Sequence, residues 1–133
     1  MRWWYAIFLL LWIVPASAQP QHTEWDCRFS RAVTYDGGTE KNLDVAKYSL
    51  GPDKFELKFI DDNKEAYLVS VPPTQVARSP NAFGGIQYIE ITNPGAVQVT
   101  ALDKHGNAVH SRHTVMPDGT ITASQYYGRC TRK

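Results

Sequence analysis

Two cysteines, Cys27 and Cys130, stand almost at opposite ends of a chain whose apolar and polar residues alternate one by one. Period-two alternation is the pattern of strands with one face buried. A disulfide requires its two Cα atoms within about 7 Å. A fold built from this chain must therefore bring its first and last strands together. An even cysteine count also favours a disulfide over metal binding or catalysis in an exported protein. The bridge encloses about 100 residues, for which the chain-entropy model allows roughly 4 to 5 kcal/mol.

Export is read from the N-terminus. Met1-Arg2 precedes an uncharged run from Trp3 to Val14, then Pro15-Ala16-Ser17-Ala18. A basic start, a short apolar run and small residues at −3 and −1 read as a signal peptide with a cut after Ala18. The run is about a dozen residues, short of the roughly 20 that span a bilayer as a helix. The expectation is a signal peptide over 1–18 and a single domain over 19–133, periplasmic or secreted, with no membrane span after cleavage. The charge is nearly balanced, 14 Lys and Arg against 13 Asp and Glu. Bulk electrostatic binding to nucleic acid or anionic membranes is not expected of such a chain.

The strand pattern starts at Trp25–Val33, with Trp25, Cys27, Phe29 and Val33 on one face and Arg28, Ser30 and Ala32 on the other. It continues with Lys54–Ile60, Glu65–Val71, Ile86–Thr92, Ala96–Leu102, Ala108–Met116 and Thr120–Gly128. Asp61–Lys64, Asn93-Pro94-Gly95, His105-Gly106-Asn107 and Pro117-Asp118-Gly119 read as turns. In the last, glycine takes the positive φ of a bulged hairpin loop. Asp44–Leu50 reads as a strand or as the end of a helical turn begun near Thr39-Glu40-Lys41, and Thr74–Ser79 as a strand or an extended loop. The tally is eight or nine. In an up-and-down meander, Cys27 and Cys130 fall at the same end only when the tally is even. The favoured architecture is all-β: a single antiparallel up-and-down meander of about eight strands, closed into a small barrel or rolled sandwich. Closure pairs the first strand with the last and removes exposed edges.

A cysteine in the first strand, a meander, and Tyr127-Gly128-Arg129-Cys130 on the last strand resemble the small exported bacterial β-barrels of lipocalin-like type. The same features resemble the periplasmic inhibitors of C-type lysozyme. The resemblance implies a barrel, and inhibition of a cell-wall hydrolase is one activity it suggests. Lipocalins carry Gly-x-Trp in the first strand, whereas Trp25 follows Thr23-Glu24. The inhibitors carry a Ser-Gly-x-x-Tyr loop, which Arg78–Gly85 does not match. No functional residue is carried over.

No catalytic, cofactor or metal site is read. His110 and His113 are separated by an odd number on one strand and so face opposite sides of the sheet. With His105 in a turn, the three read as surface histidines rather than zinc ligands. Asp61-Asp62 and Asp103 read as solvated turn residues, which aspartate favours by bonding nearby backbone N–H groups. Ser111 and Ser124 lack a nucleophile-elbow context. The aromatics Trp25, Phe29, Phe55, Phe59, Tyr67, Tyr88, Tyr126 and Tyr127 read as a filled barrel interior.

Alternate turns of a meander fall at alternate ends. The Lys104–Asn107 turn and the Pro80–Gly85 loop thus share the end that holds Arg129, Arg132 and Lys133, with Arg78 close by. This basic rim, formed by Arg78, Phe83, Lys104, His105, Arg129 and Arg132, is the candidate docking face for an acidic protein or envelope partner. The expected function is non-enzymatic binding. A carrier of small apolar ligands in the barrel interior is the alternative, and a small hydrolase ranks third.

Overall fold

The close approach of β1 to β9 sets the architecture. The computed structural model describes residues 22–36, 38–44, 55–93 and 95–133. The expected signal peptide, residues 45–50 of the ambiguous segment, Lys54 and Pro94 lie outside the described residues. Nine strands are present: β1 (Thr23–Asp36), β2 (Thr39–Asp44), β3 (Glu56–Asp61), β4 (Ala66–Leu68), β5 (Thr74–Pro80), β6 (Ile86–Ile91), β7 (Val97–Leu102), β8 (Asn107–Val115) and β9 (Ile121–Arg132). They form one sheet in the order β2-β1-β3-β4-β5-β6-β7-β8-β9, closed by pairing of β1 with β9.

Eight of these strands make the barrel. β1 is 14 residues long and serves two neighbours along one edge. Thr23–Arg28 pairs with β3, and Arg31–Asp36 pairs with β2. Its other edge pairs with β9 from Trp25 to Asp36. β2 is therefore an extra hairpin strand above β3, which reconciles the counts of eight and nine. Thr74–Pro80 is a strand, one of its two expected forms, and Thr39–Asp44 is a strand paired with β1 rather than the start of a helical turn. The return after Asp61–Lys64 is shorter than its alternation suggests and spans only Ala66–Leu68.

Cys27 and Cys130 are directly opposed in the β1–β9 register, bonded to each other, with Cα atoms 3.8 Å apart. Two residues away, Gly128 faces Phe29. A Cβ on residue 128 would fall onto the carbonyl oxygen of Arg28. Only glycine lets the two backbones meet here. The register then slips between Phe29 and Arg31, leaving Ser30 as an extra residue. Such a bulge inverts the alternation that follows it. The expected faces of β1 are corrected accordingly: Ala32 is buried at 3 % exposure, and Val33 lies on the other side.

Aromatic rings pack against one another inside the barrel. Phe59 stacks on Tyr88 with centroids 4.5 Å apart, and Phe55 on Tyr126 at 4.3 Å. Phe29 packs tilted against Phe55 at 5.3 Å. Each such side chain removed from water contributes roughly 1.5 to 3 kcal/mol. Tyr67 and Tyr127 stay outside the core, donating their hydroxyls to Glu65 and Gln125. His110 is not a surface residue. It is 4 % exposed among Phe29, Phe55 and Tyr126, with Nδ1 2.8 Å from Thr100 Oγ1. His113 is exposed on the opposite face, as the odd spacing requires.

Successive hairpins from β5 to β9 share one loop geometry. Asn81–Gly85, Thr92–Ala96, Asp103–Asn107 and Met116–Thr120 each close with the first residue's N–H on the fifth residue's carbonyl. In each, the N–H of a fourth-position glycine donates to the first residue's carbonyl, at φ between 83° and 105°. This is the bulged loop expected at Pro117-Asp118-Gly119.

Two outcomes are expected. Gly128→Ala destabilises by more than about 4 kcal/mol or prevents oxidation of the cysteines, because backbone meets Cβ. Gly119→Ala, with open space around the added methyl, costs about 1 kcal/mol for its positive φ. Urea midpoints and a free-thiol assay separate the two. The second outcome concerns pH. Burial, aided by the nearby Arg112 charge, lowers the His110 imidazole to about 4. The unfolded chain therefore binds this proton first, so stability is full above pH ~6.5 and is lost as pH falls toward 4. The loss is at most about 3 kcal/mol, and His110→Gln flattens this limb of a stability–pH curve.

Candidate functional site

A groove of about 780 Å³ runs over the outer surface of β7, β8, β9 and β1, and under the β5–β6 and β7–β8 loops. Its position follows from parity. Leu102 and Ala108 are buried, so their neighbours Ala101 and Val109 point outward. Cross-strand pairing sets Ala101 beside Val109, Val109 beside Tyr127, and Tyr127 beside Arg31. Arg31 lies over the Tyr127 ring, 5.8 Å from its centroid, a cation–π arrangement. Small side chains in the middle of this row leave the depression.

Two similarly locked loops form the other wall. Asn81 Oδ1 accepts from the N–H groups of Phe83 and Gly85, at 2.9 and 3.1 Å. Asp103 Oδ1 accepts from His105 and Asn107 N–H at 2.8 Å each. Asp103 Oδ2 accepts from Asn107 Nδ2 at 2.7 Å. The Asn107 side-chain bond, with the two backbone donors, holds the Asp103 carboxyl below the ordinary carboxylate range. Arg129 donates to Asn107 Oδ1 and to the His105 carbonyl, both at 2.9 Å. The N–H of Cys130 donates to the Gly106 carbonyl at 2.8 Å, which fastens the β7–β8 loop to the disulfide-bearing strand. Phe83 is left in solvent at 87 % exposure.

Of the residues expected at the rim, Phe83, Lys104, His105 and Arg129 line this groove. Arg78 and Arg132 do not. Arg78 sits opposite Tyr88 on the inward face of β5. Its Nε donates to both oxygens of Asp61 at 2.8 Å. Asp61 is 3 % exposed and also accepts from Tyr88 Oη at 2.8 Å and Asn63 N–H at 2.7 Å. Asp61 is thus a buried ion-pair partner, not a solvated turn residue. Asp62 does keep the turn role, accepting from Lys64 and Glu65 N–H. Burial, then the Asp61 hydrogen bond, raises the Tyr88 phenol far above its ordinary value. Arg132 shares the parity of Cys130 and faces away from Arg129, opposite Trp25. Arg31 is a groove residue that parity counting from Cys27 misplaces, because the bulge at Ser30 lies between. Tyr127, expected in the interior, differs from Cys130 by an odd number and so lies on the outer face.

Among the described residues, no three His, Cys, Asp or Glu side chains gather as a metal site. No family model, curated protein or solved structure matches the chain.

Arg78→Met strands the Asp61 carboxylate inside the barrel end. It is expected to cost about 3 to 5 kcal/mol in urea unfolding. Pairing it with Asp61→Leu recovers much of the loss, since removing both charges of a buried pair costs far less than removing one.

Proposed function

We propose that the protein is an exported, non-enzymatic binding module whose outer groove docks an acidic protein or envelope component. The observation that carries this reading is the meeting of Lys104, Arg129, Arg31 and exposed Phe83 in one groove. Its one acidic lining residue, Asp103, is already engaged by its own loop. Cations beside an exposed aromatic, on a chain of nearly balanced charge, favour an acidic surface through local rather than bulk attraction. The Cys27–Cys130 bridge is compatible with an oxidising compartment, which supports export. Stacked rings inside the barrel weigh against carriage of an apolar ligand there. Inhibition of a cell-wall hydrolase remains one form such docking takes.

Calorimetry with polyglutamate tests the reading. Binding is expected at low ionic strength and weakens as salt is added. Lys104→Glu lowers affinity by about fivefold or more. Arg132→Glu, on the opposite sheet face, leaves it unchanged. Equal losses in the two variants, or no binding by the native protein, sink the proposal.

A further inference from the structure

We propose that the groove recognises an acidic protein segment carrying a large apolar side chain, with carboxylates on the basic rim and the apolar group on the Ala101–Val109 floor. This rests on the binding function proposed above and names its ligand class.

Hydrogen-bonding capacity in the groove is lopsided. Acceptors in the groove are largely spent within the protein. Asn81 Oδ1 carries two backbone N–H groups. Both Asp103 oxygens are occupied by its own loop. Asn107 Oδ1 takes Arg129, and the His105 carbonyl takes the same guanidinium. Donors are in surplus. Among the described residues, neither Lys104 nor Arg129 forms an ion pair with a carboxylate. Lys104 offers three N–H donors, and Arg129 keeps part of its five. A ligand suited to this balance brings acceptors and few donors. Carboxylates fit, whereas a hydroxyl-rich glycan would leave its O–H groups without acceptors, at a cost for each.

Apart from Ser30, Arg31 and Tyr127, the rest of the lining is apolar. Ala101 and Val109 form a floor of small side chains, and Phe83 stands over it at 87 % exposure. The Tyr127 face is covered by Arg31, so it is not open for a sugar ring to stack upon. Small floor residues beneath an exposed ring provide room for a partner's apolar side chain, the kind of pocket in which interface anchors sit. Simple polyanions would satisfy the cations and leave the floor and Phe83 unused.

The test uses 15N-labelled protein titrated with three probes: Ac-Glu-Asp-Phe-Asp-Glu-NH2, the same peptide with serine in place of phenylalanine, and polygalacturonate. The phenylalanine peptide is expected to bind about tenfold more tightly than the serine peptide, from burial of one aromatic side chain. The amides that shift should be those of residues 81–85, 101–109 and 127–129. Ala101→Leu fills the floor without changing charge and should cut the preference to about threefold or less. Lys104→Glu should weaken both peptides alike. Equal binding of the two peptides, or tighter binding of polygalacturonate at these amides, overturns the inference and leaves the basic docking face standing. Absence of groove shifts with every probe overturns both.

Discussion

The carbonyl oxygen of Arg28 occupies the space that a side chain at position 128 would need, and the barrel closes around that contact. Glycine there lets β9 lie against β1 over nearly the whole length of both strands. The disulfide two residues away joins two positions already opposed by the ladder. The bulge at Ser30 comes next along β1, and it re-aims everything above it. Ala32 turns inward to seal the core beside Tyr126, and Arg31 turns outward onto Tyr127. The glycine contact and the adjoining bulge together settle both what packs in the barrel and what decorates its surface.

The groove is a joint product of that seam and of hairpin chemistry. The β5–β6 and β7–β8 loops fall at the disulfide end because a meander alternates its turns. Each is stiffened by the oxygen of its first side chain, Asn81 in one and Asp103 in the other. The β7–β8 loop is fixed again from β9, through Arg129 and the Cys130 N–H. A surface so braced would lose little freedom on binding a partner of the kind proposed, which favours affinity from few contacts.

Much of this was legible in the chain. Parity between two cysteines, combined with period-two alternation, led to eight strands and a closed seam. Turn residues led to the hairpins of β7, β8 and β9. The gathering of Phe83, Lys104, His105 and Arg129 followed from counting alternate ends. What escaped was whatever depends on a single-residue slip or on a distant partner. No local signal marks Ser30 as an extra residue, so the outward turn of Arg31 was hidden. Asp61 and Arg78 look like ordinary turn and strand-end charges until the barrel brings them to one buried point. His110 reads as polar, yet Thr100 across the ladder supplies the bond that lets it sit among rings. The glycine spacing carries a further signal: Gly84, Gly95 and Gly106 recur every 11 residues, the rhythm of one strand plus one loop.

That rhythm gives the molecule a modular character. Three consecutive connections, and with Gly119 a fourth, share a five-residue frame with glycine at its fourth position. In the Asn81–Gly85, Asp103–Asn107 and Met116–Thr120 frames, residues two and three are exposed, while the first and fifth residues of every frame close the loop. The tips are consequently interchangeable parts. Lineages or engineers can rewrite them, or graft one tip's chemistry onto a neighbouring frame, while the staves of the barrel stay as they are.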